Sequence, residues 1–304
     1  MSVRNEIGRR CWLALRSPLL PFEVRAKLLW WADMRFRRPI TYNELIRQRK
    51  AMDRRPLLTT FADKVAVRDY VARAVGADVL PECYAVVDDP ALIDRSALPR
   101  EFVVKASHGS GGVWLVTEQA PLDGPQPQPG TGWTHHVTHP DVLDWELLVI
   151  MCRQWLAQNF GQSAMEWAYL NVPPRIIVEE FLGPAIPNDY KFQVFHGVPR
   201  LVGVDTGRYG EHRRTYFTPT WEPLDLEIEC PRSELEIPRP SSLDRMLEIA
   251  SRLGEEVDFV RVDLYDVDGR VVFGELTNYP GSGVTKLTPH TYDLELGRWW
   301  MAKR

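Results

Sequence analysis

A chain of 304 residues with 44% hydrophobic and 26% charged residues has the make-up of a folded protein with one large core or two to three subdomains, which excludes a disordered or fibrous chain. Its four cysteines, Cys11, Cys83, Cys152 and Cys230, form no Cys-x-x-Cys pair, which sets aside a zinc ribbon or a disulfide scaffold and fits reduced thiols in the cytoplasm. The near-balance of 37 basic and 41 acidic residues hides a split: residues 1–55 hold 14 basic against 5 acidic residues, a net of +9, and the remainder is at −13.

In the basic segment, Trp12, Trp30, Trp31 and Phe36 stand among Arg25, Lys27, Arg35, Arg37 and Arg38. Two uses are open to it: lying on an anionic membrane surface, or packing as an amphipathic helix pair on the acidic body, the commoner fate of a basic face. No run reaches the roughly 18 to 20 apolar residues of a membrane span. The charged start has no apolar signal core behind it, so a cytoplasmic protein is expected, with the inner membrane surface as its one candidate peripheral contact. Nothing marks a nucleic-acid partner.

Apolar residues recur at three- and four-residue spacing over 13–31, 42–52 and 64–75, which predicts helices punctuated by Pro18, Pro21, Pro39, Pro56 and Pro81. Short β-rich runs follow at 84–87, 101–105 and 112–117, the last two joined by glycines. Four prolines and three glycines make 121–132 a loop, and a long helical pattern covers 141–160. Strands are expected at 175–179, then at 190–195 and 199–205 around the turn His196-Gly197. After an irregular Arg- and Pro-rich stretch come a helix over 242–253 and a hairpin, 259–265 with 271–276, turning at Asp268-Gly269. The mixture predicts an α+β fold with mixed sheets.

Three constellations carry chemistry. The first is a strand ending in Lys105 that runs into Ser107, His108, Gly109, Ser110, Gly111 and Gly112. Glycines let backbone N–H groups approach phosphate oxygens and the lysine adds a compact positive charge, in a strand–loop–strand setting that is neither a Walker nor a Rossmann motif. The second is the hairpin of Arg261 and Asp263, two residues apart on one strand and so on one face, with Glu275 opposite: two carboxylates and an arginine suited to a hard cation and phosphate. The third is the apolar strand entering Glu179, Glu180, Phe181 and Leu182, whose extended backbone suits the edge of a purine. A chance glycine hairpin, solvated charges and an ordinary strand end are the plain alternatives.

Together and in this order, the three features resemble the ATP-grasp superfamily, and more closely its TupA-like branch from bacterial cell-surface polysaccharide loci. The resemblance covers 41–297 and includes Thr41-Tyr42-Asn43-Glu44, the run 62–71, Phe102-Val103-Val104-Lys105, Glu166-Trp167, Asp189-Tyr190-Lys191-Phe192 and Gly274-Glu275-Leu276-Thr277. It implies an ATP-grasp fold, with 1–55 as a basic helical segment, 56–100 as the N-terminal part of the module, 101–182 as the nucleotide lid and 183–304 as the C-terminal subdomain. It also implies ATP and magnesium as cofactors. Lys64 and Lys105 would touch the phosphates under a flap of residues 107–112, and Glu179 to Leu182 would hold adenine mostly through backbone. Asp189 would reach the ribose, Lys191 would add a phosphate-side cation, Asp263 and Glu275 would hold magnesium, and Arg261 would steady the transferring phosphoryl group.

Many relatives of this kind carry asparagine two residues after the magnesium glutamate; here Thr277 stands there and Asn278 follows, so Asn278 supplies the third ligand only if the backbone bulges. The implied chemistry activates a carboxylate as an acylphosphate for attack by an amine, with release of ADP. Catalysis by positioning and electrostatics needs no protein nucleophile, and no nucleophile elbow or reactive-cysteine motif is evident. The same machinery would also serve a sugar kinase, or a nucleotide-binding partner in which Thr277 marks lost catalysis. In the segment 205–214, Arg208, His212 and Arg213 either hold an anionic substrate such as a uronic acid or are solvated. His135, His136 and His139 lie in an expected loop without cysteine or carboxylate support for zinc.

Overall fold

The helical first part of the chain forms where its caps and apolar spacing dictate. In the computed structural model, which describes residues 20–34, 38–125, 127–130, 132–183, 187–207 and 212–302, helix α1 (Phe22–Met34) packs on α2 (Tyr42–Met52). Thr41 starts α2 through a capping box with Glu44, each side chain accepting from the other's backbone N–H. Arg25 of α1 is buried and donates to Gln162, so the described part of the basic segment packs on the body. Pro56 opens a helix the apolar spacing did not predict, α3 (Pro56–Ala62), at the position where its fixed φ and missing N–H cost nothing. Helix α4 (Ala66–Val75) stops at Gly76, whose φ of 103° a side chain would resist.

Two five-stranded sheets follow. The first contains β1 (Cys83–Val87), β2 (Phe102–Ala106), β3 (Val113–Val116), β4 (His135–Thr138) and β5 (Ile176–Glu180) in the order β1-β5-β2-β3-β4. All its pairs are antiparallel except β3–β4. His135 and His136 thus belong to a strand rather than a loop, and His139 follows its end. The expected helix over 141–160 is two: α5 (Trp145–Leu156), capped by Asp144, and α6 (Phe160–Ala164), capped anew by Asn159. A fresh cap competes with continuation of the first helix. Trp155, Met151, Cys152 and Leu148 of α5 pack on Val104, Trp114, Ile176 and Val178.

The second sheet is built from β6 (Asp189–Phe195), β7 (Val198–Thr206), β8 (Arg213–Phe217), β10 (Phe259–Val267) and β11 (Arg270–Thr277), ordered β11-β10-β6-β7-β8 and antiparallel throughout. Strand β8 arises from the stretch expected to be irregular. A two-residue β9 (Glu227–Ile228) pairs with β12 (Leu287–Thr288). Period two divides each long strand between two faces. Phe192, Val194, Val202, Val204, Val260 and Val262 face α4 and α7 (Leu243–Leu253). On the other face Phe195, Leu201, Tyr216 and Phe259 pack under α2, α3 and α8 (Thr291–Met301), a helix absent from the sequence-based expectation.

Further along the same strands that second face becomes charged: Asp189, Lys191, Asp205, Arg214, Arg261, Asp263 and Glu275. A half-apolar, half-charged face is what a sheet needs to be anchored at one end and to line a cleft at the other. Among the described residues no helix is long and apolar enough to cross a membrane.

Candidate active site

A cleft lies between the two sheets. Val103, Lys105, Val113 and Leu115 line it from the first, and Asp189, Asp263, Phe273 and Glu275 from the second. Lys64, just before α4, closes one side.

On the first sheet Lys105 Nζ lies 2.9 Å from Glu179 Oε2, and Arg68 Nη1 holds the other oxygen, Oε1. Arg68 is a site residue the motifs did not single out; it reaches Glu179 from a helix, across 111 residues of chain. Burial pulls the Lys64 ammonium down, although Glu275 and Glu179 pull it up, and its Nζ donates to the Gly109 carbonyl. Glu179 pairs with Cys83 on one side and Val103 on the other, and Glu180 N–H donates to the Glu82 carbonyl at 2.9 Å. The chain leaves the sheet at Phe181 and Leu182, and all four residues are in the cleft lining.

The glycine loop is also divided. Ser110 and Gly111 line the cleft, but Ser107 and His108 are buried and turned inward. Ser107 Oγ donates to the Pro173 carbonyl at 3.1 Å, and His108 Nε2 lies 3.1 Å from the Trp155 carbonyl, with burial lowering the imidazole's pKa. The glycines make room for Trp133. A Cβ on Gly109 would stand 2.5 Å from its ring, one on Gly112 3.0 Å, and one on Gly111 2.6 Å from its carbonyl oxygen. Trp133 meets His108 and Phe160 edge-on, and Phe160 meets Tyr169 of the cleft wall.

On the second sheet Asp263 is directly opposite Glu275; regular pairing from the Asp268-Gly269 turn would set Gly274 there, and a bulge between Leu264 and Asp263 brings Glu275 into place. Arg261 grips Asp263 with Nε at 2.7 Å and Nη2 at 2.6 Å, and the same Nη2 is 2.8 Å from Glu275 Oε1. Lys191 Nζ lies 2.9 Å from Asp263 and 3.6 Å from Asp205, and also bonds Asp189. Burial alone would raise the Asp263 carboxyl, but Arg261 and Lys191 overcome it and hold the group well below the usual carboxylate range. Burial likewise opposes the Lys191 charge, and Asp189 and Asp263 override it to raise the ammonium.

Asn278 is not with these carboxylates. The bulge in this hairpin falls at Gly274, before Glu275, and Thr277 keeps regular register opposite Arg261. Thr277 Oγ1 donates to Glu275 at 3.0 Å, whereas Asn278 is buried on the other side, its Nδ2 donating to Leu58 at 2.7 Å. Among the described residues no group of three His, Cys, Asp or Glu side chains is arranged for a metal. His136 bonds Thr134, and His139 accepts from the Asp141 N–H.

Of the basic loop, Arg208 lies outside the described residues. His212 Nε2 is 3.2 Å from Asp205, and Arg213 donates to the Arg232 carbonyl at 3.3 Å. One further cation stands here. Arg214, opposite Asp205 in the β7–β8 ladder, grips both its oxygens and reaches Glu229 at 3.2 Å.

A model of the TupA-like ATPgrasp family matches residues 44–301. Among solved structures the chain is similar to L-amino acid ligase from Bacillus licheniformis, at 15% identity and a TM-score of 0.48 over 87% of this chain and 57% of that one. It is also similar to D-alanine–D-alanine ligase from Bacillus anthracis complexed with ATP, at 13% identity and 0.39 over 73% and 55%. A third is the ATP-grasp ligase PsnB complexed with precursor peptide PsnA2 and AMPPNP, at 14% identity and 0.39 over 90% and 64%. The chain therefore spans less than two thirds of the length of each of these structures. None of the curated proteins matches it.

Proposed function

This chain belongs to the TupA-like ATPgrasp family and has the ATP-grasp fold, and from that premise we propose that it is an ADP-forming ligase. In this reading it transfers the γ-phosphoryl group of ATP to a substrate carboxylate and lets an amine attack the resulting acylphosphate. The acid is a uronic acid or an amino acid of a cell-surface polysaccharide.

The observation that carries the reading is the meeting of opposite kinds of charge across one cleft. Lys105 comes from the first sheet and Lys64 from the turn before α4, and Asp263 and Glu275, bridged by one Arg261 nitrogen, from the second. Two carboxylates close enough to share a guanidinium nitrogen are hard oxygen donors of the kind magnesium takes alongside phosphate. Asp263 and Glu275 would hold that ion, which supplies charge neutralisation to the phosphates when bound. Lys64 and Lys105 would bind phosphate oxygens, with Ser110 and Gly111 above them. Apolar Val103, Val113, Leu115 and Phe273 would exclude water and sandwich the base, with Phe181 and Leu182 at its edge. Arg261, set free from the carboxylates, would meet the charge that spreads over the transferring group, and Lys191 would hold Asp263 in place. The γ-phosphorus–oxygen bond to ADP breaks as the bond to the substrate carboxylate forms; the amine nitrogen then attacks the acyl carbon and phosphate leaves.

The test is to incubate the protein with ATP, magnesium and hydroxylamine over a panel of uronic and amino acids. The ligase reading expects ADP and a hydroxamate with at least one acid. A stable phosphorylated sugar without hydroxamate would make it a kinase, and no ADP with any acceptor would make it a nucleotide-binding partner.

A further inference from the structure

On the cleft side of the first sheet one carboxylate answers to two cations, and the two are not held alike. Glu179 gives one oxygen to Arg68 Nη1 at 2.5 Å and the other to Lys105 Nζ at 2.9 Å. Arg68 has a second anchor, its Nη2 donating to the Pro81 carbonyl at 2.7 Å, whereas among the described residues Glu179 is the one partner of Lys105. Arg68 is therefore the fixed cation and Lys105 the movable one. Val67, Tyr70 and Val71 bury one side of α4 in the core, which leaves Arg68 among the residues that line the cleft. The start of the same helix is tied to the glycine loop, because the Lys64 N–H donates to the Ser107 carbonyl at 3.1 Å.

The asymmetry matters when phosphate arrives. To hold a phosphate oxygen Lys105 must give up Glu179, whose side chain is only 7% exposed. A buried carboxylate left without a partner is strongly destabilising, and one that keeps a second partner is not. An unpaired Glu179 would also repel the negative charge of the ligand at close range. Arg68 prevents both by staying in place. Glu179 supports the Lys64 charge and Lys105 opposes it, so the two lysines share that carboxylate until another anion takes over.

We propose that Arg68 is a positioning residue of the nucleotide site, which keeps Glu179 paired while Lys105 swings from that carboxylate to the phosphates. The proposal rests on the reading of Lys105 as a phosphate ligand. Arg68 acts through Glu179 and Lys105, so it sets how readily the nucleotide is gripped and takes no part in phosphoryl transfer.

Calorimetric titration of the full chain with ATP and magnesium, with no acceptor present, tests the hand-over. Arg68→Gln makes Lys105 the sole partner of Glu179 and should weaken ATP at least about tenfold. Adding Glu179→Gln to that variant frees Lys105 and should restore at least about fivefold of the loss. In turnover the Arg68→Gln loss should fall on KM for ATP, with kcat within about twofold of the wild type. Wild-type affinity in Arg68→Gln, or a double variant as weak as Arg68→Gln, would overturn the proposal, the second by showing that Arg68 serves the fold alone. Where Arg68→Gln does not melt cooperatively, Arg68→Lys takes its place, since it keeps a cation beside Glu179 but lacks the fork that also holds Pro81. The same order is expected of it: weaker than the wild type, and recovered by Glu179→Gln. A wild type that binds no ATP would overturn both this proposal and the reading of the cleft. Recovery in the double variant with no hydroxamate from any acid upholds the proposal and removes the ligase alone.

Discussion

The two sheets that face each other across the cleft treat charge in opposite ways. On the first, the Lys105 side chain is 26% exposed with a single carboxylate partner, and Lys64 is tied to a loop carbonyl. On the second, Lys191 and Asp263 are almost wholly buried, and Asp263 is shared between Lys191 and Arg261, which also holds Glu275. The first arrangement can be re-aimed at a ligand by moving one side chain and a loop. The second is preorganised, and removing one member leaves others charged and unpaired. One side grips and the other holds the reacting charge.

The contrast can be broken by paired substitutions. Asp263→Ala should abolish ADP release, a loss of at least about 10²-fold, and should also cost about 3–5 kcal/mol of stability because Arg261 and Lys191 lose their common partner in a buried site. Lys105→Ala should abolish turnover as fully but cost no more than about 1 kcal/mol, since its ion pair is partly solvated. Thermal melting of the two variants beside the wild type decides it: equal melting temperatures would erase the distinction between the sheets. Trp133→Ala should have a smaller effect, raising KM for ATP about tenfold and costing about 2 kcal/mol, because Gly109 and Gly112 lose the ring they pack on.

An effect on stability alone, with none on turnover, falls where Glu166 meets Ser282. Burial pushes Glu166 up to about 7 from its ordinary 4.5, although Lys50 and the hydroxyl of Ser282 pull it down. A carboxyl raised in the folded state keeps its proton there while the unfolded chain loses it. Stability is therefore undiminished below about pH 4.5 and falls as the pH rises to about 7, by at most about 3 kcal/mol. Glu166→Gln should melt with the wild type at pH 4.5 and above it at pH 8, with unchanged turnover; parallel melting curves at both values would contradict the burial argument.

Much of this was legible in the sequence wherever local pattern and function coincide. Helix α2 spans the residues its periodicity marks, and the alternation of Arg261 and Asp263 puts them on one face, although it takes a bulge beside Gly274 to bring Glu275 opposite Asp263. Strands β4 and β8 were not legible, since His135–Thr138 and Arg213–Phe217 are too polar to show an apolar run and form because a neighbouring strand offers its edge. One cause of the glycine loop was not legible: its glycines leave room for Trp133, a contact across a Pro- and Gly-rich loop that no spacing rule reveals. Asn278 was separated from the carboxylates by the position of a single bulge.

The most direct test of the cleft is a calorimetric titration of the wild type, Lys105→Ala and Asp263→Asn with ATP and magnesium. A nucleotide gripped between the two sheets predicts one site on the wild type and at least about tenfold weaker binding, some 1.4 kcal/mol, in each variant. Wild-type affinity in both variants would contradict it.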